Sequence, residues 1–177
     1  QGLDATVNDV DSADFNGGAL TVSFASSGDS AEDTLAVRDQ GTGAGQIGVS
    51  GSDVTYGGVT IGSWAGGSGG ADLVITFNAS ATPAAAQALV RNISYQNTDT
   101  DAPTTGARTV RFVLTDGDSG TSADHDATVT VSEVTDAPVL ASGPTLAYTE
   151  NQTATAINTG ITVTDADNTT LASATVQ

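Results

Sequence analysis

The stretch WAGGSGGADLVI, residues 64–75, fits three incompatible designs, and its reading decides the fold class. Gly66-Gly67-Ser68-Gly69-Gly70 satisfies the G-x-S-x-G pattern of a nucleophile elbow, which needs a strand, a sharp turn and then a helix. Gly66, Gly67 and Gly69 followed by Asp72 come close to a glycine- and aspartate-rich calcium nonapeptide, whose turns must stack in several copies. The third reading is a loop between two strands. After Ser68 the chain continues ADLVITF, which alternates as a strand and leaves no helix to face an oxyanion. The nonapeptide fails because its Asp arrives one residue late and the copy is single. The loop reading stands, and with it an all-β chain with no catalytic serine.

Working outward, strand patterns dominate. ALTVSFAS (residues 19–26) sets Leu20, Val22 and Phe24 against Thr21 and Ser23. TVRFVLTD (109–116) sets Val110, Phe112 and Leu114 against Thr109, Arg111 and Val113, and ATVTVSEV (127–134) sets Val129 and Val131 against Thr128 and Thr130. A period of two marks strands with one buried face. SDVTYGGVTIGSW predicts a hairpin turning at Gly57-Gly58, where a tight turn needs positive φ. GAGQIG (Gly43, Gly45, Gly48) matches a dinucleotide-binding fingerprint, but VSGSDVTYGG follows where a helix would have to start. One segment, ATPAAAQALVRNI, predicts a short helix, with Thr82 as N-cap, Pro83 in the first turn, and Leu89 and Ile93 on one face. Many short strands with Gly and Asp turns predict two packed sheets.

The chain has 177 residues, with 21 acids against four Arg and no Lys, for a net charge of −17. Nearly all the acid is Asp; Glu occurs only at positions 32, 133 and 150. Such a surface repels nucleic acid and anionic lipid, and its natural complement is a cation. There is no Cys, hence no disulfide and no thiolate metal site. No apolar run approaches the ~18 residues of a membrane-spanning helix, and no signal peptide pattern is present. The sequence opens within a strand-like run, so targeting segments are expected elsewhere in a longer protein.

The chain also repeats itself. TVNDVDS (6–12) returns as TVTDADN (162–168), an offset of 156 positions, and each places Asp-x-Asp directly after an apolar strand. EVTDAPVL (133–140) reads as a junction, since Pro after a strand ends pairing. Asp pairs two residues apart at a strand end can converge on a hard cation, which takes six to eight oxygens when it is calcium. They occur at Asp9 and Asp11, Asp116 and Asp118, Asp124 and Asp126, and Asp165 and Asp167. The bland alternative is that Asp favours turns anyway. Four Asn-x-Ser/Thr sequons, at Asn78, Asn92, Asn151 and Asn168, are expected by chance in a chain this rich in Ser and Thr.

TDADNTTL (164–171), YTEN (148–151), LTDGDSG (114–120) and TDAPV (135–139), together with VITFNASATPAAAQALVRNISYQNT (74–98), resemble the cadherin-like tandem repeats of large bacterial surface and RTX-type adhesins. The resemblance covers essentially the whole chain. It implies a cadherin/Ig-like β-sandwich repeat with one short helix over residues 1–134, its N-terminal strand missing. A linker at 135–138 and the first part of a second repeat at 139–177 would follow. It further implies calcium at the junction, held by Asp116, Asp118, Glu133, Asp136, Asp165 and Asp167. Asp9 and Asp11 would serve an upstream junction, and Glu150 one downstream. Ser132, Val134 and Thr135 stand where animal cadherins carry further ligands, so one or two ions per junction are expected. The implied role is a non-enzymatic adhesive spacer on the bacterial cell surface, secreted and extracellular, whose partners are neighbouring repeats and cell-surface glycans or proteins. Two other readings remain open. One is a carbohydrate-binding module with Trp64, Tyr56 and Tyr95 as a stacking platform; the other is acidity that only reflects a salty habitat.

Overall fold

The computed structural model describes residues 5–141, 143 and 145–176; the outermost ends of the two predicted repeats, residues 1–4 and 177, lie outside them. The chain divides into two units. One runs to Asp99 and resumes at Pro103–Ser132; the other comprises Thr100–Ala102 and the chain from Glu133.

The first unit is antiparallel β with one helix. Its elements are β1 (Ala19–Ser26), β2 (Asp33–Val37), β3 (Ile47–Ser50), β4 (Asp53–Tyr56), β5 (Val59–Ala65), β6 (Leu73–Phe77), α1 (Pro83–Val90), β7 (Ile93–Asn97), β8 (Gly106–Leu114) and β9 (His125–Val131). Seven strands form one sheet in the order β3-β4-β5-β6-β1-β8-β9, and β2 pairs with β7 in a second. The predicted alternation is the observed one. Leu20 and Val22 of β1 and Val110 and Phe112 of β8 are buried, and Leu20 faces Leu114 while Val22 faces Phe112. Leu35, Val37 and Ile93 from the second sheet join the same core, as do Ala85, Ala86 and Leu89 of the helix.

Thr82 caps α1 as predicted: its Oγ1 accepts the N–H of Ala85 at 3.3 Å, and Pro83 opens the first turn. The helix is shorter than its apolar pattern suggests. Arg91 closes it, the Asn92 side chain bonds back to the carbonyl of Ala88 at 2.9 Å, and Ile93 begins β7 instead of continuing the helical face with Leu89. The β4–β5 hairpin turns at Gly57 and Gly58, with φ of 59° and 82° and Tyr56 facing Val59.

Residues 66–72 link β5 to β6, whose Ala65 and Val74 are partners, so Ser68 is followed by a strand and not a helix. The loop is also structural in its own right. Gly67 has φ of 86°, and its carbonyl accepts the N–H of Leu35 at 2.7 Å, holding the edge of β2. A Cβ there would lie 2.2 Å from the Leu35 carbonyl oxygen, whereas one at Gly69, φ 62°, would meet nothing within 4 Å.

The second unit holds one short ladder, β10 (Val139–Ala141) with β11 (Thr162–Thr164), and none of its described residues is buried.

Gly67→Ala and Gly69→Ala therefore separate two costs. Gly69→Ala carries the left-handed backbone penalty alone, about 1–2 kcal/mol. Gly67→Ala adds a backbone collision and should cost about 3 kcal/mol or more. Urea unfolding of the two variants at unchanged slope measures the difference; equal midpoints would show that the β2 edge does not depend on this loop.

Candidate functional site

Three of the Asp pairs named from the sequence lie in the first unit. Asp9 Oδ1 accepts the N–H groups of Asp11 and Ser12 at 3.2 and 3.1 Å, so the loop closes on its own carboxylate. The Asp11 carboxyl turns toward that of Asp9. Ser12 and Asp11 N–H groups hold Asp9 below the usual carboxylate range, while the hydrogen bond to Asp9 and then its charge push Asp11 up, with a smaller push from Asp116.

Asp116 closes the loop after β8 in the same way, its Oδ1 accepting from Asp118 N and Gly120 N at 2.7 and 2.9 Å. Asp9, Asp11 and Asp116 line one cleft of about 330 Å³, floored by Phe15 and Leu114. The resemblance divides these residues between two junctions. Asp118 sits on the exposed loop beyond them. The third pair serves an arginine instead. Arg111 holds Asp126 with two bonds, Nε at 2.7 Å and Nη2 at 2.9 Å, and reaches Asp124 through Nη1 at 2.7 Å. Its guanidinium, through the Asp126 bond first, draws that carboxyl below the ordinary range.

In the second unit, Asp165 and Asp167 face one another and the backbone of Asp136 meets Asp167. Asp167 Oδ2 accepts the N–H of Asp136 at 3.1 Å, and Asp165 Oδ1 accepts that of Asn168 at 2.9 Å. A bond with the Asp167 carboxyl, then the Asn168 N–H, holds Asp165 low. Glu133 and Glu150 are exposed. Every donor is a hard oxygen, which suits calcium, but among the described residues no three His, Asp or Glu side chains are grouped to hold a metal. Each loop supplies a partial ligand set.

A further pair of the same spacing, Asp99 and Asp101, escaped the sequence reading. More consequential is a buried network that no motif announces. Arg108 of β8 is 2 % exposed, and its Nε donates to Asp33 Oδ2 of β2 at 2.8 Å. The same oxygen accepts from Asp29 N at 2.7 Å, while Oδ1 accepts from the Tyr95 hydroxyl and from Asn97 Nδ2 at 3.0 Å. Glu32 lies 3.7 Å from Arg108 Nη2 and accepts the N–H of Thr104 at 2.8 Å. Burial pushes the Asp33 carboxyl up, but the Asp29 N–H, Tyr95 and Arg108 more than reverse it and leave it low. Tyr95 is thus spent inside, edge-on to Phe24 at 6.2 Å and in the two-stranded sheet, away from the sheet that carries Tyr56 and Trp64.

Comparison of the chain with protein-family models, curated proteins and solved structures found no significant match.

Asp33→Asn should cost about 3 kcal/mol, because it removes the carboxylate bonded directly to a buried guanidinium and leaves only Glu32, 3.7 Å away, as counter-charge. A carboxylate whose folded pKa is depressed stabilises fully above its unfolded value, about 3.9, and that contribution is lost as pH falls through the lower folded value. The parent should therefore lose stability in that acid window, and the variant should lack this part of the slope. Denaturation midpoints measured from about pH 6 downward check both; parallel curves would remove Asp33 from the acid response.

Proposed function

We propose that this chain is a calcium-stiffened structural and adhesive repeat of a large extracellular bacterial surface protein. On this reading the first unit is a cadherin-like β-sandwich and the second is the opening of the next repeat. The observation that carries the reading is that Asp9, Asp11 and Asp116, from two separate loops, line one cleft. Turn formation uses one carboxylate oxygen at a time. It does not require two carboxylates to face each other against their mutual repulsion, whereas a divalent cation turns that repulsion into attraction.

Asp9, Asp11 and Asp116 would bind an ion in the first unit, and Asp136, Asp165 and Asp167 one in the second, with Asp118 and Glu133 nearby in sequence as further donors. Backbone carbonyls and water complete such a shell in calcium sites generally. The bound ion supplies positive charge and fixed geometry, so occupancy and alignment of neighbouring repeats favour one another. The role is mechanical and non-enzymatic; the partners are adjacent repeats and cell-surface glycans or proteins, with no nucleic acid. The resemblance to bacterial adhesin repeats points the same way.

Replacing Asp165 and Asp167 together by Asn keeps the oxygens but removes two charges. Calcium affinity by calorimetry should fall by roughly tenfold or more, while melting in chelator should stay level or rise because repulsion is relieved. Undiminished calcium binding by the double variant would remove both residues from the ligand set. Small-angle scattering with and without chelator should change in maximum length and not in compactness of the folded part; identical profiles would overturn the stiffening role.

A further inference from the structure

The seven-stranded sheet of the first unit ends on one side at β3, and no described strand lies beyond it. In the β3–β4 hairpin Gly57 N donates to Gln46 O, which sets the even-numbered residues of β3 toward β4. Alternation then turns the backbone groups of Ile47 and Val49 outward. Such a row of donors and acceptors is a template for a further strand. Here it is closed from within the chain. Gln40 N donates to Ile47 O at 2.7 Å, and the Gln40 side-chain carbonyl accepts the N–H of Ile47 at 3.1 Å. Asp39 Oδ1 accepts the N–H of Val49 at 3.3 Å while also closing its own turn on Gly41 N at 2.9 Å.

The chain reaches this edge directly from the other sheet. Arg38 N still donates to Asn92 O in line with the β2–β7 ladder, and the next two residues lie against β3. A full strand placed there would cover β3 and expose an edge of its own. Side chains end the ladder instead: the Asp39 carboxylate accepts a bond from Val49 and offers no N–H to carry pairing onward.

The same end of the sheet is where the chain's charge is weakest. Residues 40–71, which contain β3, β4 and β5, carry one charged side chain, Asp53, although the whole chain carries −17. Repulsion between acidic surfaces keeps two copies apart elsewhere, but it has little to act on here. Ile47 and Val49 are β-branched, which strands favour, and the nearest charges in sequence are Asp39 before them and Asp53 after them.

We propose that the outer edge of β3 is a strand-pairing surface for a second copy of this chain, kept shut by Asp39 and Gln40. With the cover removed, Ile47 and Val49 of one copy bond to the same residues of the other, antiparallel about a two-fold axis, and the two sheets become one. A second copy is the occupant because its own β3 edge presents the matching groups without the charge that repels the rest of the surface. The pairing uses backbone groups and no ion, so it does not rest on calcium.

Bismaleimide cross-linking of residues 1–177 in chelator is the test, since the chain has no Cys and a single one can be introduced. Ser50→Cys places it at the exposed end of β3; Thr130→Cys, exposed on β9 at the far side of the sheet, is the control. In the parent neither should link. With Asp39→Ala and Gln40→Ala added, Ser50→Cys should yield a linked dimer and Thr130→Cys none, and the sedimenting mass of the double variant should rise toward twice the monomer. Asp39→Asn alone keeps an acceptor for Val49 N–H while removing the charge, and should stay unlinked. Val49→Pro added to the double variant removes the outward N–H without touching the β4 ladder, and should abolish the link. Where the double variant does not melt cooperatively, Asp39→Ala alone, which frees only the Val49 N–H, takes its place. A cooperatively melting variant that stays unlinked at Ser50→Cys overturns the proposal. So does a link that survives Val49→Pro, one already present in the parent or in Asp39→Asn, or equal linking at Thr130→Cys.

Discussion

The structure of the first unit depends on placing an arginine and an aspartate where water does not reach. Arg108 and Asp33 come from different sheets and from positions 75 residues apart. A buried charge is tolerated only when its partner and its remaining hydrogen-bonding positions are supplied. Asp33 meets that demand through Asp29, Tyr95 and Asn97, and Arg108 through Asp33, Glu32 and the carbonyl of Thr104. The donors to Asp33 come from the loop before β2, from β7 and from β8. The network is therefore satisfied only when β2, β7, β8 and the residues before β8 all stand in register, whereas apolar contacts alone would accept a slipped arrangement.

The acid of this chain is divided among distinct physical roles. Asp33 is an internal strut, and Asp124 and Asp126 hold Arg111. Asp14, Asp29 and Asp39 each accept the N–H two residues on, at 2.9 to 3.0 Å, a turn that the longer arm of Glu does not fit. The preference for Asp over Glu is thus substantially a preference for tight loops between short strands. Abundance of Asp is no record of cation binding; what exceeds turn formation is the facing of one carboxyl on another, at Asp9 with Asp11 and at Asp165 with Asp167.

How much the sequence disclosed follows from the range of each interaction. Strands β1, β8 and β9 were legible because one half-buried face imposes a period of two on neighbouring residues. The N-cap at Thr82 and the turn at Gly57-Gly58 were legible because backbone geometry there selects particular residue types. Ile93 misled because its spacing from Leu89 is helical, while the helix was already closed at Arg91. The short strands β2, β3 and β7 carry too few residues to show a period. The Arg108–Asp33 pair was missed although the period of two sets Arg108 in phase with the buried Val110 and Phe112 and Arg111 on the opposite face; what no local signal supplies is the partner, 75 residues away. Of the candidate ligands, the Asp-x-Asp spacing identified the loops but could not tell which loops share a cleft.

The ladder of β9 bears on how such a unit would carry tension. Residues 5–8 lie by His125, at the start of β9, and the chain leaves the unit after Val131, at its other end. Seven consecutive pairs, from Phe112 with His125 to Gly106 with Val131, join β9 to β8. A pull between those two ends runs along the strand and not across it, so the rungs are loaded together in shear and not opened one after another like a zip. An edge strand that is weak against peeling becomes, in this attachment geometry, the part that must give way as a whole before the chain can lengthen.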